Sequence, residues 1–298
     1  MRTIHVKSAQ SFLNRVPAGS RLGFDWSLNP YRGCTHACRY CYARETHRYF
    51  DLSVGEDFER VLFVKSNLSR RLPQELRKIP PQQVIILGTA TDPYQPLEGR
   101  HQLTRAAIAA LAVSGHPFTL CTKSPLVERD LDLLGPLGRR GQCQLNVSLI
   151  TLDEADLRRL EPGTASPTRR LQLIHTLAAA GIPTALLLAP VIPHLTDAAE
   201  TLDALFHAAQ EAGVACIMAS PLRLSDAVRP YFLSQLAKSF PAQAQNVAAV
   251  YQDHSHPDPQ TLARIHTQLA RLYQKYGIPS RYPSPRPFRV TEQMHFSL

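Results

Sequence analysis

The chain has no apolar run near the roughly 20 residues that cross a bilayer. Its run Thr184–Ile192 (TALLLAPVI) has nine residues and carries a proline, so no membrane partner is expected. The opening MRTIHVKSAQ lacks the continuous apolar stretch of a secretory signal, which points to a cytoplasmic protein. In that reducing compartment disulfides are not expected. Acidic residues are in deficit: 24 Asp and Glu face 33 Lys and Arg, a net charge of +9 over 298 residues. The deficit is uneven, with 20 bases and 12 acids in residues 1–149 against 13 and 12 in 150–298. Such a balance suits phosphate-bearing partners, through counterion release and steering, although a solvated basic surface would give the same count. Disordered and fibrous classes are excluded by 44% hydrophobic and 19% charged residues, enough for a sizeable core. There is no linker that would cut off an independent second domain, and no internal repeat beyond a β/α unit.

What is present is a regular alternation. Apolar runs at 24–28, 82–91, 117–124, 143–151, 183–192 and 214–220 read as strands. Helical patterns follow them. Leu103, Ala107, Ile108, Leu111 and Ala112 form one apolar stripe, and the helix from about Pro167 to Ala180 opens with Ser166 as N-cap and Pro167 in its first turn. Asp197 with Glu200 has capping-box spacing. Gly115, Gly141, Gly181 and Gly213 stand where helices must end. Continuously apolar strands fit a helix-covered parallel sheet. About six such units suit a partial (β/α)6 TIM-type barrel with a C-terminal helical extension, and a doubly wound open sheet is the competing architecture. The expected division is an N-terminal arm over 1–20, a core over 21–240 and an extension over 241–298. That extension contains a helix over Pro259–Tyr276 and a proline-rich end, YPSPRPFRV.

Three of the six cysteines crowd into eight residues: NPYRGCTHACRYCYAR places Cys34, Cys38 and Cys41 at C-x3-C-x2-C spacing. Soft thiolates select zinc or iron–sulfur clusters. Zinc sites usually draw on two ligand pairs, and no second pair follows at zinc-finger distance. Three thiolates suit a [4Fe–4S] cluster with one iron left open, while His36 as a fourth ligand would make a Cys3His zinc site. Tyr40 before the third cysteine completes C-x3-C-x-aromatic-C. With this motif after the first strand of a six-unit β/α chain, the sequence resembles the radical S-adenosylmethionine (radical SAM) superfamily. More narrowly, SLNPYRGCTHACRYCYAR, GTATDPYQPLE, TKSPLVERDLDLL and VSLITLDEADLRRLEPGTASPTRRL look like the DNA repair photolyase-like branch related to spore photoproduct lyase.

The resemblance implies that Cys34, Cys38 and Cys41 ligate three irons and that the fourth binds S-adenosylmethionine. Reductive cleavage would then give a 5′-deoxyadenosyl radical, the electron coming from a reductant such as flavodoxin or ferredoxin. It also suggests cofactor contacts. Thr91 and Asp92 stand where the superfamily shows a Gly-Gly-Glu loop, though a capped turn would read alike. Lys123 and Ser148 match strand-end residues that hold the cofactor carboxylate and ribose. Tyr40 belongs to the motif itself, Arg169 and Arg170 open a helix within reach of the carboxylate, and Val191 and Ile192 offer apolar adenine contacts. The lyase carries a hydrogen-donating cysteine near the positions of Thr89 and Ala90, where this chain has no thiol; that departure counts against true spore photoproduct lyase activity. Cys121, Cys143 and Cys216 read as packed thiols, and Tyr31, Tyr42 and Tyr94 as packing groups or radical relays. The leading expectation is a radical SAM enzyme acting on a nucleic acid. The alternatives are the same chemistry on a peptide or small molecule, and a non-catalytic zinc-stabilised nucleic-acid-binding protein.

Overall fold

A computed structural model describes residues 2–17, 23–252 and 254–282. The chain opens with β1 (Thr3–Lys7), β2 (Leu13–Arg15), β3 (Trp26–Leu28) and β4 (Tyr31–Arg32), followed by the cysteine segment and a 3-10 helix over Tyr42–Phe50. Helix α1 (Asp57–Arg60), β5 (Val61–Lys65) and α2 (Leu68–Leu76) lead to β6 (Ile85–Leu87), α3 (Leu97–His101) and α4 (Leu103–Ser114). Next come β7 (Phe118–Thr122), a 3-10 turn over Pro125–Asp130, α5 (Leu131–Arg139), β8 (Cys143–Ser148), α6 (Glu154–Leu160) and α7 (Pro167–Ala179). The chain closes with β9 (Thr184–Val191), α8 (Ala199–Glu211), β10 (Cys216–Pro221), α9 (Arg229–Ser239), α10 (Pro241–Tyr251) and α11 (Pro259–Tyr276).

The main sheet runs β10-β9-β8-β7-β6-β3-β2. From β3 to β10 every pairing is parallel, and β2 adds antiparallel to the edge of β3. Strand order rises steadily along the sheet with no reversal. A doubly wound sheet would reverse at a switch point, so this winding is the barrel kind, a partial (β/α)6 barrel. The runs are apolar because both faces are covered: Leu87, Leu120, Leu145, Val147, Leu186 and Ile217 are wholly or almost wholly buried.

The forecast helix starting at Pro167 begins there, with the Ser166 side chain accepting from Arg169 N. The capping box at Asp197 does not form. Helix α8 starts at Ala199, its N-cap Ala198 makes no side-chain cap bond, and the buried Asp197 carboxylate instead pairs with Arg264 of α11. That long-range pair ties the C-terminal extension to the barrel. Residues 2–17 of the expected arm run as β1 and β2. Strand β1 pairs in parallel with β5, and β4 pairs antiparallel on the other side of β5, giving a second, three-stranded sheet that the sequence pattern did not announce. The proline-rich end beyond Tyr282 lies outside the described residues. No described helix is long and apolar enough to cross a membrane.

Candidate active site

The cysteine segment is clamped from every side. At its entrance Gly33 has φ +75°, and a Cβ there would sit 2.8 Å from Val61 O, so the chain can pass only as glycine. Gly163, in the loop after α6, comes closer still: a Cβ would meet Thr35 O at 2.1 Å, and its N–H donates to His36 O at 3.1 Å. Arg39 N–H donates to Leu160 O (2.9 Å) and Cys34 N–H to Phe58 O (3.0 Å). Thr91 Oγ1 donates to Gly33 O (2.6 Å), while Gln95 Nε2 donates to Gly33 O (3.0 Å) and its Oε1 accepts from Thr35 N–H (3.2 Å).

The central brace is Arg44, whose side chain is fully buried. Its Nε donates to Cys38 O (2.8 Å), Nη2 to Ala37 O (3.0 Å), and Nη1 to Val54 O (3.1 Å) and Gly55 O (2.7 Å). Glu59 neutralises it at 2.8 Å, and the guanidinium lies over the Tyr231 ring at 4.5 Å. Arginine suits this place because its fixed fork reaches several carbonyls at once. One side chain thus fixes the backbone at the second cysteine.

Cys34 and Cys38 are buried, Cys41 is partly exposed, and none is in a disulfide. Burial pushes the Cys34 thiol up to about 12, helped by the Asp92 charge. Burial likewise raises Cys38, where Glu161 adds, and Cys41. Against this, nearby backbone N–H groups of His36 and Asp92 act to lower Cys34, and those of Ala43 and Arg44 to lower Cys41. Thiols this deeply buried stay protonated unless a cation stabilises the thiolate, whereas N–H groups aimed at sulfur favour the thiolate. Three free thiols on one immobilised loop fit an iron–sulfur centre. Among the described residues no three His, Cys, Asp or Glu side chains converge as they would on a single ion. His36, the possible fourth zinc ligand, has Nδ1 3.2 Å from Asp92 Oδ2.

Facing the loop is a buried polar cluster at the strand ends. Lys123, just past β7, donates from Nζ to Ser148 Oγ at 2.8 Å and stands 3.8 Å from Glu161 Oε1. Glu161 and Arg170 are both fully buried and pair at 2.6 Å. Tyr40 donates its hydroxyl hydrogen to Glu161, and Arg170 Nη1 donates to Ser148 O at 2.8 Å. Burial alone would raise the Glu161 carboxyl, but Arg170 and Lys123 hold it below the ordinary range. Burial alone would lower Lys123, but Glu161 lifts it above its ordinary value. The result is a fixed cation beside a serine hydroxyl, backed by a compensated carboxylate. Sequence reading named Tyr40, Lys123, Ser148 and Arg170 but missed Glu161, whose one signal was an acid in the turn LEPGT of an otherwise matching segment.

Asp92 sits behind the loop. Its carboxylate accepts from Thr122 Oγ1 (2.8 Å), Lys123 N–H (2.7 Å) and Tyr94 N–H (2.8 Å), so it ties the β6 loop to the end of β7 as well as capping its own turn. Burial would raise this carboxyl; His36 and the donors hold it low. Arg169 is turned elsewhere, its guanidinium taken up by both oxygens of Glu128. Thr89 and Ala90 are held by Asn29, and Val191 and Ile192 are wholly buried. Tyr31 and Tyr94 are also buried, their hydroxyls anchored on Glu98 and Asp130. Tyr42 is 61% exposed and bonds to Thr89 O.

On the face of the sheet that carries Lys123 and Ser148 lie Cys121 and Asn146, paired in register on β7 and β8. Asn146 Nδ2 donates to Cys121 Sγ at 3.2 Å, and Tyr282 Oη, returning from the C-terminal extension, donates to Leu145 O at 2.6 Å. Cys143 and Cys216 are buried, and Cys143 Sγ donates to Leu134 O.

Comparison with known proteins agrees with this geometry. Residues 28–205 match the Radical SAM superfamily. A Mycobacterium tuberculosis protein named only as uncharacterised is 37% identical over 285 residues, 95% of this chain and 84% of that one. The radical SAM Nalpha-GlyT isomerase of Pseudomonas phage M6 is 26% identical over 165 residues, 55% of this chain and 32% of that one. Spore photoproduct lyase, in a structure complexed with dinucleoside spore photoproduct, superposes at a TM-score of 0.69 over 94% of this chain and 81% of that one, with 16% identity.

Proposed function

This chain belongs to the radical SAM superfamily and is an enzyme of S-adenosylmethionine-dependent radical chemistry, and we propose that Cys34, Cys38 and Cys41 hold a [4Fe–4S] cluster and that its substrate is a nucleic acid or nucleotide-derived molecule. The observation that carries the reading is the pairing of a rigid three-thiol loop with the Lys123–Ser148 strand ends opposite it. Bound there, cluster and S-adenosylmethionine would together supply a 5′-deoxyadenosyl radical for hydrogen abstraction, with an electron donor of the flavodoxin or ferredoxin type.

The chain's own residues hold and orient. Lys123 offers a compact positive charge to the cofactor carboxylate, and Ser148 offers a hydroxyl to the carboxylate or ribose. Glu161 keeps that lysine charged, and Tyr40 and Arg170 hold Glu161 in place. Thr91 and Asp92 act one layer back as positioning residues, Thr91 on the loop backbone and Asp92 on the end of β7. The nucleic-acid part rests on the +9 charge and its concentration in residues 1–149. It is further supported by the fold shared with a lyase solved with a dinucleoside. A cytoplasmic location suits the oxygen-sensitive centre and the reduced thiols.

The test is anaerobic purification followed by assay of iron, sulfide and 5′-deoxyadenosine release with a chemical reductant. Deuterium transfer from labelled oligonucleotides into 5′-deoxyadenosine then reads the substrate. A brown protein that releases 5′-deoxyadenosine, and loses that release in Cys38→Ala, is expected. A colourless protein carrying only zinc, with Cys38→Ala behaving as wild type, contradicts it.

A further inference from the structure

We propose that the outward face of the small β1-β5-β4 sheet, together with the 3-10 helix over Tyr42–Phe50, binds single-stranded nucleic acid. The proposal rests on the nucleic-acid reading above and says where the strand is held.

Register sets the face. His5 of β1 and Arg32 of β4 are the neighbours of Phe63 on β5, so all three side chains leave the sheet on one side. Their rings form a column. His5 stacks on Phe63 at 5.1 Å with planes 21° apart, and Phe50 stacks on Phe63 at 4.9 Å and 26°. The Arg32 guanidinium then lies over the Phe50 ring at 4.6 Å. Within this column Phe50 is 44% exposed, and Tyr49 beside it is 82% exposed, although large aromatics normally sit inside.

Cations surround the rings. Lys7 Nζ lies 5.7 Å from the Phe63 ring centre and Arg48 is exposed beside Tyr49, while Lys65, Lys7's partner in register, turns its ammonium over the buried Phe12 ring at 5.6 Å. The three strands hold two lysines, one arginine and one histidine but no carboxylate. Among the described residues, Lys7, Arg32, Arg48 and Lys65 enter no ion pair, whereas cations in the neighbouring helices do, such as Arg60 with Glu56 and Arg71 with Glu75.

Unpaired cations around exposed, stacked rings are the two components of a single-strand site. Bases stack on the rings whatever their sequence, and phosphates meet the lysines and arginines. A duplex keeps its bases stacked inside and cannot use the rings. A second copy of this chain would bring the same lysine- and arginine-bearing strands face to face, which disfavours self-association here. The face also lies directly behind the cysteine loop: His47 packs edge-on against Phe58 at 5.1 Å, and Phe58 O accepts from Cys34 N–H.

Binding of a fluorescent 20-residue oligo-dT to the purified full chain is measured by anisotropy across a salt series, with duplex of equal length as competitor. Wild type is expected to prefer the single strand, with affinity falling as salt rises. Tyr49→Ala and Phe50→Ala should each weaken binding about tenfold. Lys7→Gln with Arg48→Gln should flatten the log–log salt slope by about 1.4, near 0.7 per phosphate contact. Thermal melting of the highly exposed Tyr49→Ala separates lost binding from lost folding. If wild type binds and all these variants bind equally well, the surface is wrong while the nucleic-acid reading stands. Equal affinity for duplex overturns the single-strand assignment. A dimer that Tyr49→Ala dissolves without changing oligonucleotide binding overturns the proposal. If wild type binds no oligonucleotide, both proposal and nucleic-acid substrate fall, and 5′-deoxyadenosine release still reports the radical chemistry separately.

Discussion

The molecule holds two sets of three cysteines in surroundings of different kinds. Cys34, Cys38 and Cys41 lie on a loop without regular structure, while Cys121, Cys143 and Cys216 lie within strands of the sheet. Burial raises the thiols of both sets. What separates them is the backbone. The loop set is held by Arg44, Gly33 and Gly163, and nearby backbone N–H groups oppose the rise at Cys34 and Cys41; within a strand the backbone is committed to the ladder, and Cys143 Sγ donates to Leu134 O. Burial by itself does not separate the two sets; the surrounding backbone and the brace on the loop do.

Removing the brace should show the largest effect. Arg44→Leu leaves the carbonyls of Ala37, Cys38, Val54 and Gly55 without their donor and Glu59 without its nearest cation. A loss on the order of 3–5 kcal/mol is expected in chemical denaturation, together with loss of bound iron. Retention of both would mean that the loop holds its shape unaided.

Next in size is the strand set. Cys143→Ala removes one buried sulfur and should cost about 1–2 kcal/mol in denaturant midpoint while leaving iron content unchanged. Iron loss in this variant would erase the distinction between the two sets.

A smaller effect concerns pH. Glu161 is held below its ordinary carboxyl value in the folded chain, so its contribution to stability is present above the unfolded value of about 4.3 and is lost as pH falls through the folded value. Wild type should therefore lose stability more steeply than Glu161→Gln below about pH 4.5, read by denaturation across pH 3–6. Parallel curves would contradict the depressed carboxyl.

The smallest effect belongs to Arg169. Its pair with Glu128 is partly exposed, so Arg169→Ala should cost under about 1 kcal/mol and leave the KM for S-adenosylmethionine unchanged. A KM raised tenfold or more would return this arginine to the cofactor site.

The comparison also explains what the sequence could and could not reveal. The cysteine loop was legible because its spacing is local, and α7 because Ser166 and Pro167 carry their capping chemistry within one turn. Helix α8 starts one residue late, and the carboxylate that should cap it pairs instead with Arg264, 67 positions away. The small sheet was invisible because β4 has two residues and its pairing joins chain segments separated by a loop. Arg44 and Glu161 escaped for a related reason. An arginine bound to carbonyls, or a glutamate bound to a tyrosine and an arginine brought in by folding, leaves no periodic or spaced trace.

The most direct test is iron and sulfide content after anaerobic reconstitution of two triple variants. In one, Cys34, Cys38 and Cys41 become alanine; in the other, Cys121, Cys143 and Cys216 do. The account predicts about four iron and four sulfide per chain in the strand variant, as in wild type, and none in the loop variant. Equal iron in the two variants, or a strand variant that loses its iron while remaining folded, would contradict it.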